Sequence, residues 1–479
     1  MKKSIAKNSI FYMFYNILNM LFPFITSMYV ARILLPVSIG EVAYAQNIVS
    51  YFSMLAFLGI PTYGVREIAK YRNEKAKLDQ IYSELIFINF LSTVVFSIIY
   101  YLTIFIIPEF HKSFPLYAVV GITVILNMLN NSWLYEGLEE FRFISLRNAV
   151  FKILMFALVV FLVRNQTDVL SYAGISVFGI AGNNIINFLY ARNYVSISFR
   201  NMNLKRHMKP ILLLVIVNIA IEIYTLVDTT MLGIMTSKEH VAYYYYASKL
   251  NKVLLQITNT LTMVLVPRIA LYYKEKKYAE FNKLLTVGMK VIAIIAVPMI
   301  IGLEFTAESI FTKLFGAAYI SSAEVERILC FVVLISPIGY LLGSRVMLVA
   351  NKEQKMVQCV GTGAVVNAVG NLILIQLFYE KGAAIASLIS ELVVMILYIY
   401  QGKKIFKLDP FAETFVKVLF AGGCEAFVLL LLNFISPANW LLLIVEIVVA
   451  AASYFICLLV LKEPIIQQYY STFVNKIRS

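Results

Sequence analysis

An all-α integral membrane protein with about fourteen transmembrane helices is what this sequence predicts. Three observations carry that reading: 61% of the 479 residues are hydrophobic and only 14% charged, mean hydropathy is +0.80, and apolar runs of bilayer length recur from end to end with short polar breaks. One soluble core cannot bury so much apolar surface. A hydrocarbon layer about 30 Å thick takes roughly 20 helical residues per crossing, and open strands would leave backbone groups unpaired in lipid.

Taken in order, the expected crossings are 8–31, 38–60, 82–107, 114–137, 146–163, 169–191, 210–234, 239–267, 284–304, 326–349, 356–379, 382–401, 411–435 and 438–461. The eighth is long enough to tilt or to extend past the membrane, and 305–325 has room for an interfacial helix. The first is long and lacks a small-residue cleavage pattern, so it is expected to stay in the mature protein.

Lys and Arg fix the orientation. The loops and termini on one side carry 29 of the 41 basic residues, those on the other side six. By the positive-inside rule the richer side is cytoplasmic, so both termini are expected inside. The formal charge of +14 is thereby a topological signal and gives no reason to invoke nucleic acid. Cys330, Cys359, Cys424 and Cys457 lie singly in apolar runs, without the spacing of a metal site or disulfide framework, and read as packing residues. His111, His207 and His240 fall in or beside loops and read as solvated.

The chain contains an internal echo. VAYAQNIVSYF from Val42 returns as VAYYYYASKLN from Val241, 199 residues later, and Pro61 with Arg66-Glu67-Ile68-Ala69 returns as Pro267-Arg268-Ile269-Ala270. Both echoes fall on the second helix of a six-helix set and its exit. The expected division is a six-helix lobe over 1–200, a parallel six-helix lobe over 201–402, and helices thirteen and fourteen with a tail over 403–479. No hydrophilic segment exceeds roughly twenty residues, which leaves no room for a soluble catalytic or ATPase domain. No cofactor or metal is expected; transport would be driven by H+, Na+, the membrane potential or the substrate gradient.

Ionisable groups inside a membrane are costly and face a cavity or a partner. Lys249, Lys252, Gln256 and Asn259 follow one another at i, i+3, i+7 and i+10 and so form one polar stripe on the eighth helix. At 1.5 Å per residue the two lysines lie roughly 15–20 Å deep, where snorkelling competes with a cationic, phosphate-binding role. At offset 199 the first lobe presents Ser50 and Ser53, with Gln46 on the same face: polar, uncharged. The seventh helix carries Asn218, Glu222 and Thr225, flanked by Asp228; Glu222 and Asp228 are candidates for ion coupling or for counter-charges to the lysines. Arg345, about five residues from the end of its helix, either lines the cavity or snorkels.

Three stretches carry a family likeness: ARILLPVSIGEVAYAQ from Ala31 with LGIPTYGVREIAKYR from Leu58, WLYEGLEEFRFISLRN from Trp133, and DTTMLG from Asp228 followed by VAYYYYASK from Val241. They resemble the Wzx-type flippases, the polysaccharide-transport branch of the multidrug/oligosaccharidyl-lipid/polysaccharide exporter superfamily. The Trp133 run is the most specific; Tyr135 and Glu136 stand where that family usually has Phe and Gln. The resemblance implies a V-shaped two-lobe fold in the bacterial inner membrane and alternating-access transfer of undecaprenyl-diphosphate-linked oligosaccharide from the cytoplasmic to the outer leaflet, for capsule, O-antigen or similar polymers. It also implies a cationic cavity, contact with membrane lipids, and work beside polysaccharide polymerase machinery.

A lipid II flippase and a multidrug or cation antiporter of the same superfamily are the alternatives. Against the antiporter stand the fourteen helices and the lysine pair; against lipid II stands the Trp133 run. A membrane polymerase would need a sizeable outer loop with catalytic groups, and 305–325 offers only Glu308, Lys313 and Glu324 as charges.

Overall fold

The computed structural model describes residues 5–200, 202–263, 265–403, 405–433, 440–468 and 470–471. Among these it contains helices and no strand. The chain divides into two compact units, Met1–Ala242 and Tyr243–Ser479.

The first unit holds α1 (Ile5–Ala31), α2 (Pro36–Phe57), α3 (Ile60–Tyr71), α4 (Lys75–Ile106), α5 (Pro108–Lys112), α6 (Phe114–Leu126), α7 (Ser132–Gly137), α8 (Phe141–Leu162), α9 (Val169–Ala191), α10 (Lys205–Met235) and the first turn of α11 (Lys238–Met263). Here α1 packs on α8, α8 on α9, α9 on α6, α6 on α2 and α4, and α2 on α10. Many apolar side chains point outward, such as Ile98, Leu102 and Phe105 on α4, as a lipid-facing helix requires. At the Lys- and Arg-rich end, Ile60, Ile68, Ile81, Leu85, Trp133 and Tyr135 close into one buried cluster.

The second unit continues with α11, then α12 (Val266–Lys274), α13 (Tyr278–Ile310), α14 (Ser321–Leu329), α15 (Val332–Gly339), α16 (Val346–Val349), α17 (Glu353–Gly402), α18 (Ala412–Asn433) and α19 (Trp440–Val460). Its counterpart cluster joins Ile269, Phe281, Leu285, Leu341 and Phe406. The echo seen in the sequence is structural at this point. Pro61 opens α3 and Pro267 opens α12, where a missing N–H costs nothing, and the fully buried isoleucines Ile68 and Ile269 anchor these short helices in their respective clusters.

Ten helical stretches of the described residues are long and apolar enough to cross a membrane. The other expected crossings fall on α1, α10, α11 and the second limb of α17. Several boundaries differ from expectation for identifiable reasons. The eighth crossing does not run on to 267: α11 ends at Met263 and Pro267 starts a new helix. Residues 305–325 are divided among three pieces: α13 extends to Ile310 and continues as a π-helical turn, Phe311–Phe315, a 3₁₀ turn follows at Ala317–Tyr319 after Gly316, and α14 opens at Ser321. The eleventh and twelfth crossings are two limbs of α17 that reverse at Tyr379 (φ 53°), with only Glu380 and Lys381 as charges at the turn. A side chain at Gly382 would run into the Leu374 carbonyl, so the reversal is closed by backbone contact. The fourth crossing is interrupted: α6 ends at Leu126, Asn127–Leu129 form a 3₁₀ turn, and α7 restarts at Ser132.

His207 is not solvated as its place beside a loop suggested; it is 1% exposed. Its Nε2 lies 2.7 Å from Glu84 Oε2 and its Nδ1 2.9 Å from the Tyr63 hydroxyl. The same Glu84 carboxylate, fully buried, accepts hydrogen bonds from Gln80, the Asn203 backbone N–H and Arg206. This is the end of a longer ladder. Lys75 donates to Tyr194 O, Asp79 accepts from Ser196 N and Ser83 from Ser198 N, so one face of α4 straps down the connection between α9 and α10. The four cysteines are free thiols, with Cys424 and Cys457 touching across α18 and α19 at 3.6 Å, a neighbourhood their sequence spacing did not disclose.

Candidate functional site

In the second unit, α11 is an unbroken helix through Lys249, Lys252, Gln256 and Asn259, so the four share one face as their spacing requires. Lys249 is half-buried; its Nζ stands 3.4 Å from the Tyr245 hydroxyl and 5.2 Å from the centroid of that ring. One turn on, Lys252 is exposed, as is Gln256, while the Asn259 side-chain Oδ1 is buried without a hydrogen-bond partner among the described residues. A helical stripe thus presents two cations, an aromatic face and two amides. Arg345 closes a π-helical turn, Tyr340–Arg345, and lies over the Tyr340 ring at 4.5 Å. Wide helical turns of this kind recur at functional positions.

The remaining candidates belong to the first unit. On α2, Ser50 donates its hydroxyl to the Gln46 carbonyl at 2.8 Å, and Ser53 is buried with no partner among the described residues. Glu222 and Asp228 sit on α10, which packs on α2: Asn47 Nδ2 donates to Leu226 O at 3.0 Å, and the Tyr51 and Thr230 hydroxyls are 2.9 Å apart. Asp228 is buried, whereas Glu222 is half-buried and takes a long hydrogen bond from Thr225. The Asn218 side chain lies outside the described residues. Sequence spacing did not mark Asn47, Tyr51 and Thr230, the groups that join these helices.

A second polar cluster was missed altogether. Around the interruption of the fourth crossing, Asn89 on α4 donates to Met128 O, and Asn184 on α9 donates to Leu126 O and to the side chain of Asn127. Asn187 donates to Asn130 Oδ1 and Ser132 Oγ at 3.1 and 3.2 Å. Arg147 on α8, 6% exposed, donates through Nε to Asn183 Oδ1 at 2.8 Å and reaches Ser132 Oγ at 3.5 Å. Carbonyls freed by unwinding inside a membrane need such partners. The signal available in sequence was the pairing of Asn130-Asn131 with Asn183-Asn184 and Asn187; Arg147 was counted with the cytoplasmic loop.

The Trp133 run gives this cluster its frame. Gly64 on α3 lies so close to the Trp133 ring that an added Cβ would come within 2.5 Å, and the Tyr135 hydroxyl, absent from the usual family pattern, donates to Asn187 O.

An all-helical, multi-pass architecture with a cationic stripe on α11 defines a membrane transporter fold, and solved structures agree. The chain is similar to the lipid II flippase MurJ in its inward closed conformation (TM-score 0.72, 15% identity, 94% of this chain and 98% of that one). It is also similar to an inward-facing multidrug resistance MATE family transporter of the MOP superfamily (TM-score 0.64, 13% identity, 80% and 93%). At such identities the likeness is one of fold. The chain belongs to the polysaccharide biosynthesis protein family, which matches residues 5–272. Among curated relatives, a protein of Shigella dysenteriae is 23% identical over 381 residues, 79% of this chain and 95% of that one. A second, from Escherichia coli K12, is 22% identical over 419 residues, 84% and 98%. Both are named "Putative O-antigen transporter".

Proposed function

We propose that this protein is a flippase that carries undecaprenyl-diphosphate-linked oligosaccharide repeat units from the cytoplasmic to the outer leaflet by alternating access. The observation that carries the reading is the α11 stripe: Lys249 and Lys252, one turn apart on a continuous helix, offer two ammonium groups to a diphosphate. Gln256 and Asn259 continue the same face with groups suited to sugar hydroxyls. Family membership and the two O-antigen transporter relatives supply the cargo class. In this reading Arg345 adds a cation to the second unit, Gln46, Ser50 and Ser53 offer uncharged polar groups in the first, and Glu222 and Asp228 of the first unit serve ion coupling or balance of charge. We take the chain to cross the membrane fourteen times with both termini inside, working beside a polysaccharide polymerase.

The test is export in cells. Deletion should leave lipid-linked repeat units on the cytoplasmic leaflet and remove surface polymer, and Lys249→Ala with Lys252→Ala should cut export at least about tenfold at unchanged protein level, the scale of one lost charge-assisted contact. Normal surface polymer in the deletion strain would end the flippase reading; normal export by the double variant would end the cationic site. Lipid II is the second cargo to test, and rescue of a lipid II flippase depletion by this chain would decide for it.

A further inference from the structure

The Trp133 run and the interrupted fourth crossing have no part in the lysine site, yet they build an amide-rich interior in the first unit. Asn127, Asn130, Ser132 and Asn183 are each partly exposed around the break, held from behind by the buried Asn184, Asn187 and Arg147. The amide oxygens of Asn89, Asn131 and Asn187 are buried with no hydrogen-bond partner among the described residues, although each of these amides donates through its nitrogen. Buried acceptors of this kind are satisfied by O–H donors, from ordered water or from a ligand. Irregular backbone at membrane depth is tolerated where it is buried in protein or lines a water-filled cavity.

We propose that the break in the fourth crossing is a glycan-binding subsite, in which Asn127, Asn130 and Asn183 bind sugar hydroxyls while Arg147 holds Asn183 and Ser132 in place. The amide-rich composition fits this class of ligand: each amide both donates and accepts, as each hydroxyl does. The inference rests on the flippase reading and adds to it a sugar site in the first unit, separate from the diphosphate site on α11.

The experiment uses the full-length protein in detergent and two probes: undecaprenyl diphosphate bearing a repeat-unit oligosaccharide, extracted from the deletion strain, and undecaprenyl diphosphate without sugar. Wild type should bind the sugar-bearing probe more tightly. Asn127→Ala and Asn183→Ala should each lose about tenfold on that probe, the scale of one or two hydrogen bonds, and leave the sugar-free probe unchanged. Equal loss on both probes would assign the cluster to the phosphates and overturn the glycan subsite, as would unchanged binding of both. Wild type that binds neither probe overturns the flippase reading and this subsite together, so the two failures are distinguishable. Thermal unfolding of each variant accompanies the titration; should Asn183→Ala fail to fold, Asn127→Ala, whose side chain receives a single hydrogen bond from Asn184, carries the test.

Discussion

Gly64 and Trp133 show how a family motif works through contact. The α3 backbone approaches the indole so closely that even a methyl group displaces it. Gly64→Ala should therefore destabilise the protein by about 1–3 kcal/mol, the usual cost of overpacking. Thermal unfolding of the pair with Trp133→Phe tests this: the smaller ring should recover part of the loss, giving a coupling energy that independent sites would not show. The lysine stripe was legible in sequence because charge inside an apolar run stands out and helical spacing places it. The asparagine cluster was not, since asparagine is at home in loops and turns as well, and only folding brings residues 130, 183 and 187 within hydrogen-bond reach of their partners.

Between α9 and α10 the chain is a strap fixed to α4, and its last clasp is the Glu84–His207–Tyr63 triad. Burial pushes the His207 imidazole below its ordinary value, outweighing the attraction of Glu84, while Arg206 pushes the same way as burial. The neutral ring donates from Nε2 to Glu84 and accepts at Nδ1 from Tyr63. Because the folded state disfavours the protonated ring, its contribution is complete above about pH 6.5 and is lost as pH falls further. A melting temperature that declines from about pH 7.5 to about 5.5 in wild type, with a shallower decline in His207→Gln, is the expected outcome. Glu84→Gln should free the strap, raising tryptic cleavage at Arg200 several-fold. Sequence reading placed helices well wherever apolar length decides, as at 169–191, which coincides with α9. It failed where proline or unwinding divides a run, since hydropathy averages across both.

Each unit holds a short helix after its second crossing, α3 and α12, and the positive-inside rule predicts the end of the helices rich in Lys and Arg to be cytoplasmic. In a cysteine-free background, Asn165→Cys should label from outside intact cells, and Ser198→Cys only after permeabilisation; the reverse pattern would invert the topology. Orientation is the one expectation that rests on charge counts alone and not on packing, and this labelling is what decides it.

The reversal at Tyr379 bears on how the protein is made. Two apolar limbs joined through only Glu380 and Lys381, and locked where Gly382 meets Leu374, leave almost no hydrophilic stretch for the insertion machinery to pause on. The limbs of α17 should enter the bilayer together as a single hairpin during synthesis, so a bulky residue at position 382 would be felt first as protein that is degraded before it is finished.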